Sequence, residues 1–302
     1  MNKEFKKSKK IINLSKRGYI VYLTKSKISV NEGNVVYVQK QENQILTFNI
    51  PYLNTQVLIL GYGTSISNQA ASILSENNIM VIFVSNTFNI HAIITPDNSK
   101  FINKYAIALT EKLYLESKKI DLAKNLFKIR HSFNNLFLQK EHLEIFITDY
   151  PELEKELKKI DEVTTIEKIL GHEGSYVKIL KHKIEKEIGI NDIDYEEYQN
   201  RIIAINSFFY GMAGVVLSTL GIPYYLHIYH GRTNNGSLKY DIADLIKGLS
   251  VPIAIESFNK KSIFYSENIN HLYKILSDYS IDNHLFQILF DLTIEGLDLK
   301  NV

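Results

Sequence analysis

"IMVIFVSNTFNIHAIITPDNSKFINKYAIALTEKLYLESKKIDLAKNLF", residues 79–127, contains the change of period that decides the fold. It opens with "IMVIFVS", a short apolar run suited to a fully buried strand. "NIHAIITPDNSK" then closes the strand region, with Pro96-Asp97-Asn98 as a turn and linker. From Lys100 onward the apolar residues recur at helical spacing over many turns. Upstream, "YIVYLTK", "KISVNEG", "NVVYVQK" and "QILTFNI" are short, β-rich and separated by turn residues. "QVLILG" is a further buried strand, and "SISNQAASILSENN" is a helix with Ser65 or Ser67 at its start. Downstream, helices are predicted near 141–160, 163–187, 195–220, 240–249 and 266–297. The expectation is a two-domain α+β chain: a β-rich domain over 1–97 and a larger all-helical domain over 98–302.

Composition narrows the function classes. Of 302 residues, 45% are hydrophobic and 23% charged, the balance of a soluble globular protein. No apolar run approaches the roughly 20 residues that span a bilayer, so no membrane partner is expected. With no cysteine, disulfides, thiolate metal sites and a cysteine nucleophile are excluded, which fits a cytoplasmic protein. The net charge of +2 does not announce nucleic-acid binding, which would need local basic patches. The start carries Lys3, Lys6, Lys7, Lys9 and Lys10, either a phosphate contact or a solvated tail. Arginine occurs only at positions 17, 130, 201 and 232.

One carboxylate is out of place. In "TTIEKILGHEGSYVKILKHKIEKE", Ile166, Ile169, Leu170, Val177, Leu180 and Ile184 form one helical face. Glu173 holds the missing position on that face. An ionised carboxylate there costs several kcal/mol unless paired or metal-bound. Gly171 and Gly174 flank it, each costing roughly 1 kcal/mol inside a helix, as if something approached the backbone closely. Three readings stand: a ligand, a buried Glu–Lys pair, or a helix break that puts Glu173 in a new first turn.

The second constellation is "LHIYHGRTNNGSLKYDIADLIKG", residues 226–248. Asp241 and Asp244 leave one side of a helix. Read as first-turn residues, they cap it and complement its dipole, and Asp241 is then a carboxylate at neutral pH. Asn235-Gly236 signals a tight turn that would bring His230 back toward the aspartates. Imidazole with carboxylates suits Mn²⁺ or Mg²⁺. His227 competes for the role, although Leu226 and Ile228 suggest a part-buried structural position.

"GHEGSYVK", "INSFFYGMAGVVLSTLGIP" and "HGRTNNGSLKYDIADLIK", in that order, resemble the CRISPR-associated integrase, the catalytic subunit of spacer acquisition. "LGYGTSISNQAASILSENNIMVIFVS" resembles the same family's strand–helix–strand passage. The likeness covers roughly residues 18–250, closest in motif spacing to the I-F variety. It implies an N-terminal β-sandwich and a C-terminal helical domain. It implies metal ligands Glu173, His230 and Asp244, a further acidic residue Asp241 near the metal, and Asn206 and Tyr210-Gly211 on a helix facing the site. The implied activity is metal-dependent integration: a 3′-hydroxyl of captured double-stranded DNA attacks a phosphodiester at the edge of a repeat array. Arg232, Lys239, Lys247, Lys178 and Lys181 are then phosphate contacts or plain surface charges. The resemblance further implies a homodimer and a small CRISPR companion subunit, fused in the I-F variety to a helicase-nuclease. Two rival readings are a metal nuclease on branched DNA in repair and a non-catalytic DNA-binding scaffold.

Overall fold

The computed structural model describes residues 19–302 apart from 42–43, 53–54, 86–87, 97–101, 141–150, 191–192, 232–236 and 283. The basic start, Arg232 and the Asn235-Gly236 turn lie outside the described residues.

Strands fill the N-terminal part, as their β-branched, turn-punctuated segments predict. They are β1 (Tyr19–Leu23), β2 (Ser26–Asn31), β3 (Asn34–Gln41), β4 (Gln44–Asn49), β5 (Thr55–Leu60), β6 (Ser65–Ile66), β7 (Met80–Val84) and β8 (Ile90–Ile94). Helix α1 (Asn68–Glu76) separates β6 from β7, and Ser67 is its N-cap, accepting a hydrogen bond from the Ala70 amide. One four-stranded sheet runs β1-β5-β7-β8 and the other β4-β3-β2-β6. β1–β5 and β5–β7 pair in parallel, β2–β3 and β3–β4 antiparallel. A parallel pair needs a crossover, and between β5 and β7 helix α1 supplies it. Leu23, Leu58, Leu60 and Val81 from one sheet, Ile28 and Val35 from the other, and Ala70 and Leu74 from α1 share one core.

The described residues form two compact units. One holds the chain up to Phe83 and again from Ala92 to the last described residue before α2; the other holds Val84–His91 and the helices that follow. In the second unit Phe88 is fully buried against Phe208 and Phe286.

That unit comprises α2 (Ile102–Tyr114), α3 (Glu116–Lys140), α4 (Pro151–Glu162), α5 (Ile166–Ile188), α6 (Tyr195–Thr219), α7 (Ser237–Ala243), a 3-10 turn at Lys247–Leu249, α8 (Ser250–Glu256), α9 (Ile269–Asp282) and α10 (Leu285–Gly296). α5 starts at the Thr165 cap and runs unbroken through Gly171 and Gly174, so the helix-break reading of Glu173 fails. Among the described residues, none outside the helix's own backbone comes within 4 Å of a Cβ at either glycine, so none of them makes the close approach expected there. α6 is long and apolar enough to cross a membrane by composition, which a count of unbroken apolar runs misses. Its Tyr198, Ile205, Phe208, Phe209 and Met212 are buried in the helical unit, the mark of a core helix.

The segment 240–249 differs from its expectation. α7 begins at Ser237, so Asp241 sits in its second turn and Asp244 just beyond its end. Neither aspartate caps α7 or complements its first turn.

Candidate active site

Four elements converge. α5 carries Glu173, α3 carries Arg130, the loop after α6 carries His230, and α7 with the turn after it carries Asp241, Asp244 and Lys247.

Asp241 is fully buried. Its Oδ2 accepts from the Ile228 amide at 2.9 Å, and its Oδ1 accepts from the His230 amide at 3.0 Å and from His230 Nδ1 at 2.7 Å. The carboxylate therefore tethers the loop 228–230 to α7. An ionised carboxylate only accepts, so Nδ1 carries the proton. His230 Nε2 then faces Asp244 Oδ2 at 3.8 Å. A carboxylate on one ring nitrogen that fixes the tautomer and frees the other is the usual support of a metal-binding histidine.

Burial disfavours charge on His230, but its bond to Asp241 and the nearby Asp244 and Glu173 charges raise its pKa above the ordinary value. Burial pushes the Asp241 carboxyl up, opposed in part by the His230 ring and the two amides. A first-turn position would have favoured the carboxylate; the buried second-turn position disfavours it.

Glu173 is met by Arg130, whose Nη1 lies 2.6 Å from Glu173 Oε1 and 4.0 Å from Asp244 Oδ2. Arg130 is buried, and its ring-facing side packs over Tyr176 at 5.8 Å. Burial works against its charge, yet Asp244 and Glu173 more than offset that and raise its pKa. The partner of Glu173 is thus an arginine and not the lysine of the buried-pair reading. Arg130 was missed, although the signal was present. Leu122, Leu126, Phe127, Ile129 and Phe133 are buried on α3, and Arg130 falls among them. It is a charge on an apolar face, as Glu173 is on α5.

Asp244 Oδ1 lies 3.2 Å from Lys247 Nζ, and the Tyr229 hydroxyl lies 3.5 Å from Asp244 Oδ2. Burial opposes the Lys247 charge, but Asp244 and the Tyr210 hydroxyl raise its pKa. Lys247 also sits over the Tyr210 ring at 5.1 Å, and Tyr210 packs edge-on against Tyr240 at 4.6 Å. Asn206, one turn before Tyr210, has a buried Oδ1 that accepts no hydrogen bond among the described residues.

The structure brings Glu173, His230, Asp241, Asp244, Lys247 and Tyr210 together. Lys239 borders the cluster, over the Tyr240 ring at 5.3 Å and in a cleft of about 120 Å³ shared with Tyr210. Lys181 is drawn away from it, to Glu185 at 3.6 Å and the Tyr198 ring at 5.7 Å. Lys178 is exposed on α5, about 140° around the helix from Glu173. His227 is half-buried, and it is the His230 ring that engages Asp241. Among the described residues, no three His, Asp or Glu side chains already surround one ion-sized position.

Comparison with known proteins agrees with the fold. Curated relatives include the CRISPR-associated endonuclease Cas1 of Pectobacterium atrosepticum, 27% identical over 262 residues, covering 79% of this chain and 80% of that protein. That of Pseudomonas aeruginosa is 27% identical over 267 residues, 79% of this chain and 81% of that one. The TtCas1 crystal structure superposes with a TM-score of 0.70 at 19% identity, covering 94% of this chain and 99% of that one. A casposase bound to integration product reaches 0.58 at 14% identity, covering 94% and 96%. The family model described as CRISPR associated protein Cas1 matches residues 19–276, and this chain belongs to that family.

Proposed function

We propose that this chain is a divalent-metal-dependent DNA endonuclease and integrase that inserts captured DNA fragments into a CRISPR repeat array. Family membership and two curated relatives named as endonucleases support the nuclease class. Similar folds occur in a TtCas1–DNA complex, in a casposase bound to integration product and in a Cas6-RT-Cas1–Cas2 complex. Double-stranded DNA, a Cas2-type companion and a second copy of the chain are the proposed partners.

The observation that carries the reading is the Asp241–His230–Asp244 relay beside Glu173. Two carboxylates and an imidazole nitrogen are donors that suit Mn²⁺, or less readily Mg²⁺. Glu173, His230 Nε2 and Asp244 are the residues that would hold the ion, and Asp244 Oδ1 lacks a well-aligned hydrogen bond. Bound there, a divalent ion supplies charge stabilisation to a phosphoryl oxygen. The remaining steps fall to the protein. Asp241 keeps the proton on His230 Nδ1 and so keeps Nε2 available. Lys247, held between Asp244 and Tyr210, presents a cation to the phosphate of the attacked strand. In strand transfer the 3′-hydroxyl oxygen bonds to phosphorus and the existing P–O bond breaks. One phosphodiester replaces another, and no oxidant or energy carrier is consumed.

The test offers a blunt fragment with a repeat-bearing plasmid, and separately a branched DNA, with Mn²⁺. Joined product from the first supports integration. Cleavage of the branched DNA alone favours a repair nuclease, and binding without any product favours a scaffold.

A further inference from the structure

We propose that Arg130 is the built-in counter-cation of the Glu173–Asp244 pair, and that a divalent ion binds these carboxylates only by exchanging with it. The inference rests on the metal-binding reading above and adds a residue and an order of events to it.

Three observations carry it. First, Arg130 Nη1 already takes Glu173 Oε1 at 2.6 Å and stands 4.0 Å from Asp244 Oδ2, the two acidic ligands of the proposed ion. A guanidinium nitrogen within 4.0 Å of both carboxylates takes up the position that an ion shared by the two would need. Second, the two acidic ligands already have counter-cations. Arg130 stands at Glu173 and Lys247 at Asp244, so each proposed acidic ligand has a cation beside it. Two more positive charges placed beside an unmoved guanidinium meet direct repulsion in a poorly screened site. Third, Arg130 is not fully satisfied where it is: among the described residues its buried Nε has no hydrogen-bond partner. A structural arginine usually has its donors paired. This one keeps an orphan, so its present position is not one that satisfies every donor.

A bland alternative is that Arg130 is a permanent strut between α3 and α5. The two differ in what metal does. A strut keeps its bond to Glu173 when the ion binds, whereas an exchanging cation gives it up; only an exchanging Arg130 therefore changes its own environment on metal binding.

The experiment measures Mn²⁺ binding to the full chain by calorimetry, with thermal melting alongside, for wild type, Arg130→Gln, Arg130→Lys and Glu173→Gln. The expected result is that Arg130→Gln melts lower without metal and binds Mn²⁺ roughly tenfold tighter than wild type. Its melting point also rises more on saturation with Mn²⁺. Arg130→Lys, whose shorter ammonium reaches Glu173 less well, falls between them. Glu173→Gln loses this binding. Equal or weaker Mn²⁺ binding by Arg130→Gln, with Glu173-dependent binding in wild type, overturns the exchange and leaves the metal site standing. No Glu173-dependent binding in any variant overturns both. A second measurement needs no variant. In wild type labelled at arginine, Mg²⁺ titration must shift the Arg130 Nε resonance, one of only four arginine signals. An unmoved resonance at saturating Mg²⁺ overturns the exchange.

Discussion

Arg130 and Glu173 are 43 residues apart in sequence and 2.6 Å apart in space, with side chains only 4% and 17% exposed. A buried ion pair is weak evidence for stability, but breaking one half of it is costly, about 3–5 kcal/mol. The pair therefore shapes how the proposed metal ligands have to be tested.

Glu173→Ala removes the partner of a buried guanidinium. It is expected to lower unfolding stability by about 3 kcal/mol, so its loss of activity would be ambiguous. Glu173→Gln keeps an acceptor for Arg130 and is expected to lose less stability than Glu173→Ala while strand transfer is lost. Chemical denaturation beside an integration assay checks both halves.

Asp241→Asn tests the relay. The amide keeps the shape but cannot accept from the Ile228 amide, the His230 amide and His230 Nδ1 at once. The expected outcome is a roughly 10–100-fold loss of activity or metal affinity and a fall in the His230 pKa, since Asp241 helps to raise it. Histidine NMR titration reads the second effect; an unchanged His230 pKa would remove Asp241 from the relay.

Those residues were unevenly legible in the sequence. Glu173 stood out because one stripe of α5 is otherwise apolar, and the change of period near Lys100 separated strands from helices. The parallel pairing of β1, β5 and β7 was not legible, because buried strands read alike whichever way they pair. The start of α7 was misplaced because Asp-x-x-Asp looks like a cap. In fact Asp241 accepts amide protons from the loop before the helix rather than from the helix itself. Arg130 was less legible, because a 43-residue separation hides its pairing with Glu173 even though it too is a charge on an apolar stripe. The family resemblance, rather than periodicity, singled out His230 over His227.

Gly248 follows Lys247 and is packed against Asn134. A Cβ there would lie 2.2 Å from Asn134 Oδ1. Gly248→Ala is expected to destabilise by about 1–3 kcal/mol and to disturb Lys247 with it. Urea unfolding reads the first effect, and a Gly248→Ala/Asn134→Ala double variant should recover part of the loss.

Away from the site, Glu156 on α4 bonds Lys159 at 2.5 Å and His172 Nδ1 at 2.7 Å. Burial pushes its carboxyl up, but these two partners win and hold it below the usual 4.5. A depressed carboxylate contributes stability above its unfolded pKa and loses it as pH falls through the folded value. The melting-point gap between wild type and Glu156→Gln should therefore be full at pH 6 and shrink below about pH 4.5. A gap that widens on acidification would contradict the assignment.

The central claim is that His230, held by Asp241, belongs to a metal-dependent strand-transfer site. Its most direct test is Mn²⁺-dependent joining of a 3′-hydroxyl DNA fragment to a repeat-bearing plasmid by wild type, His230→Ala and His227→Ala, each shown to be folded. The account predicts joined product from wild type, none from His230→Ala, and a much smaller loss from His227→Ala. A folded His230→Ala protein that joins DNA at the wild-type rate would contradict it.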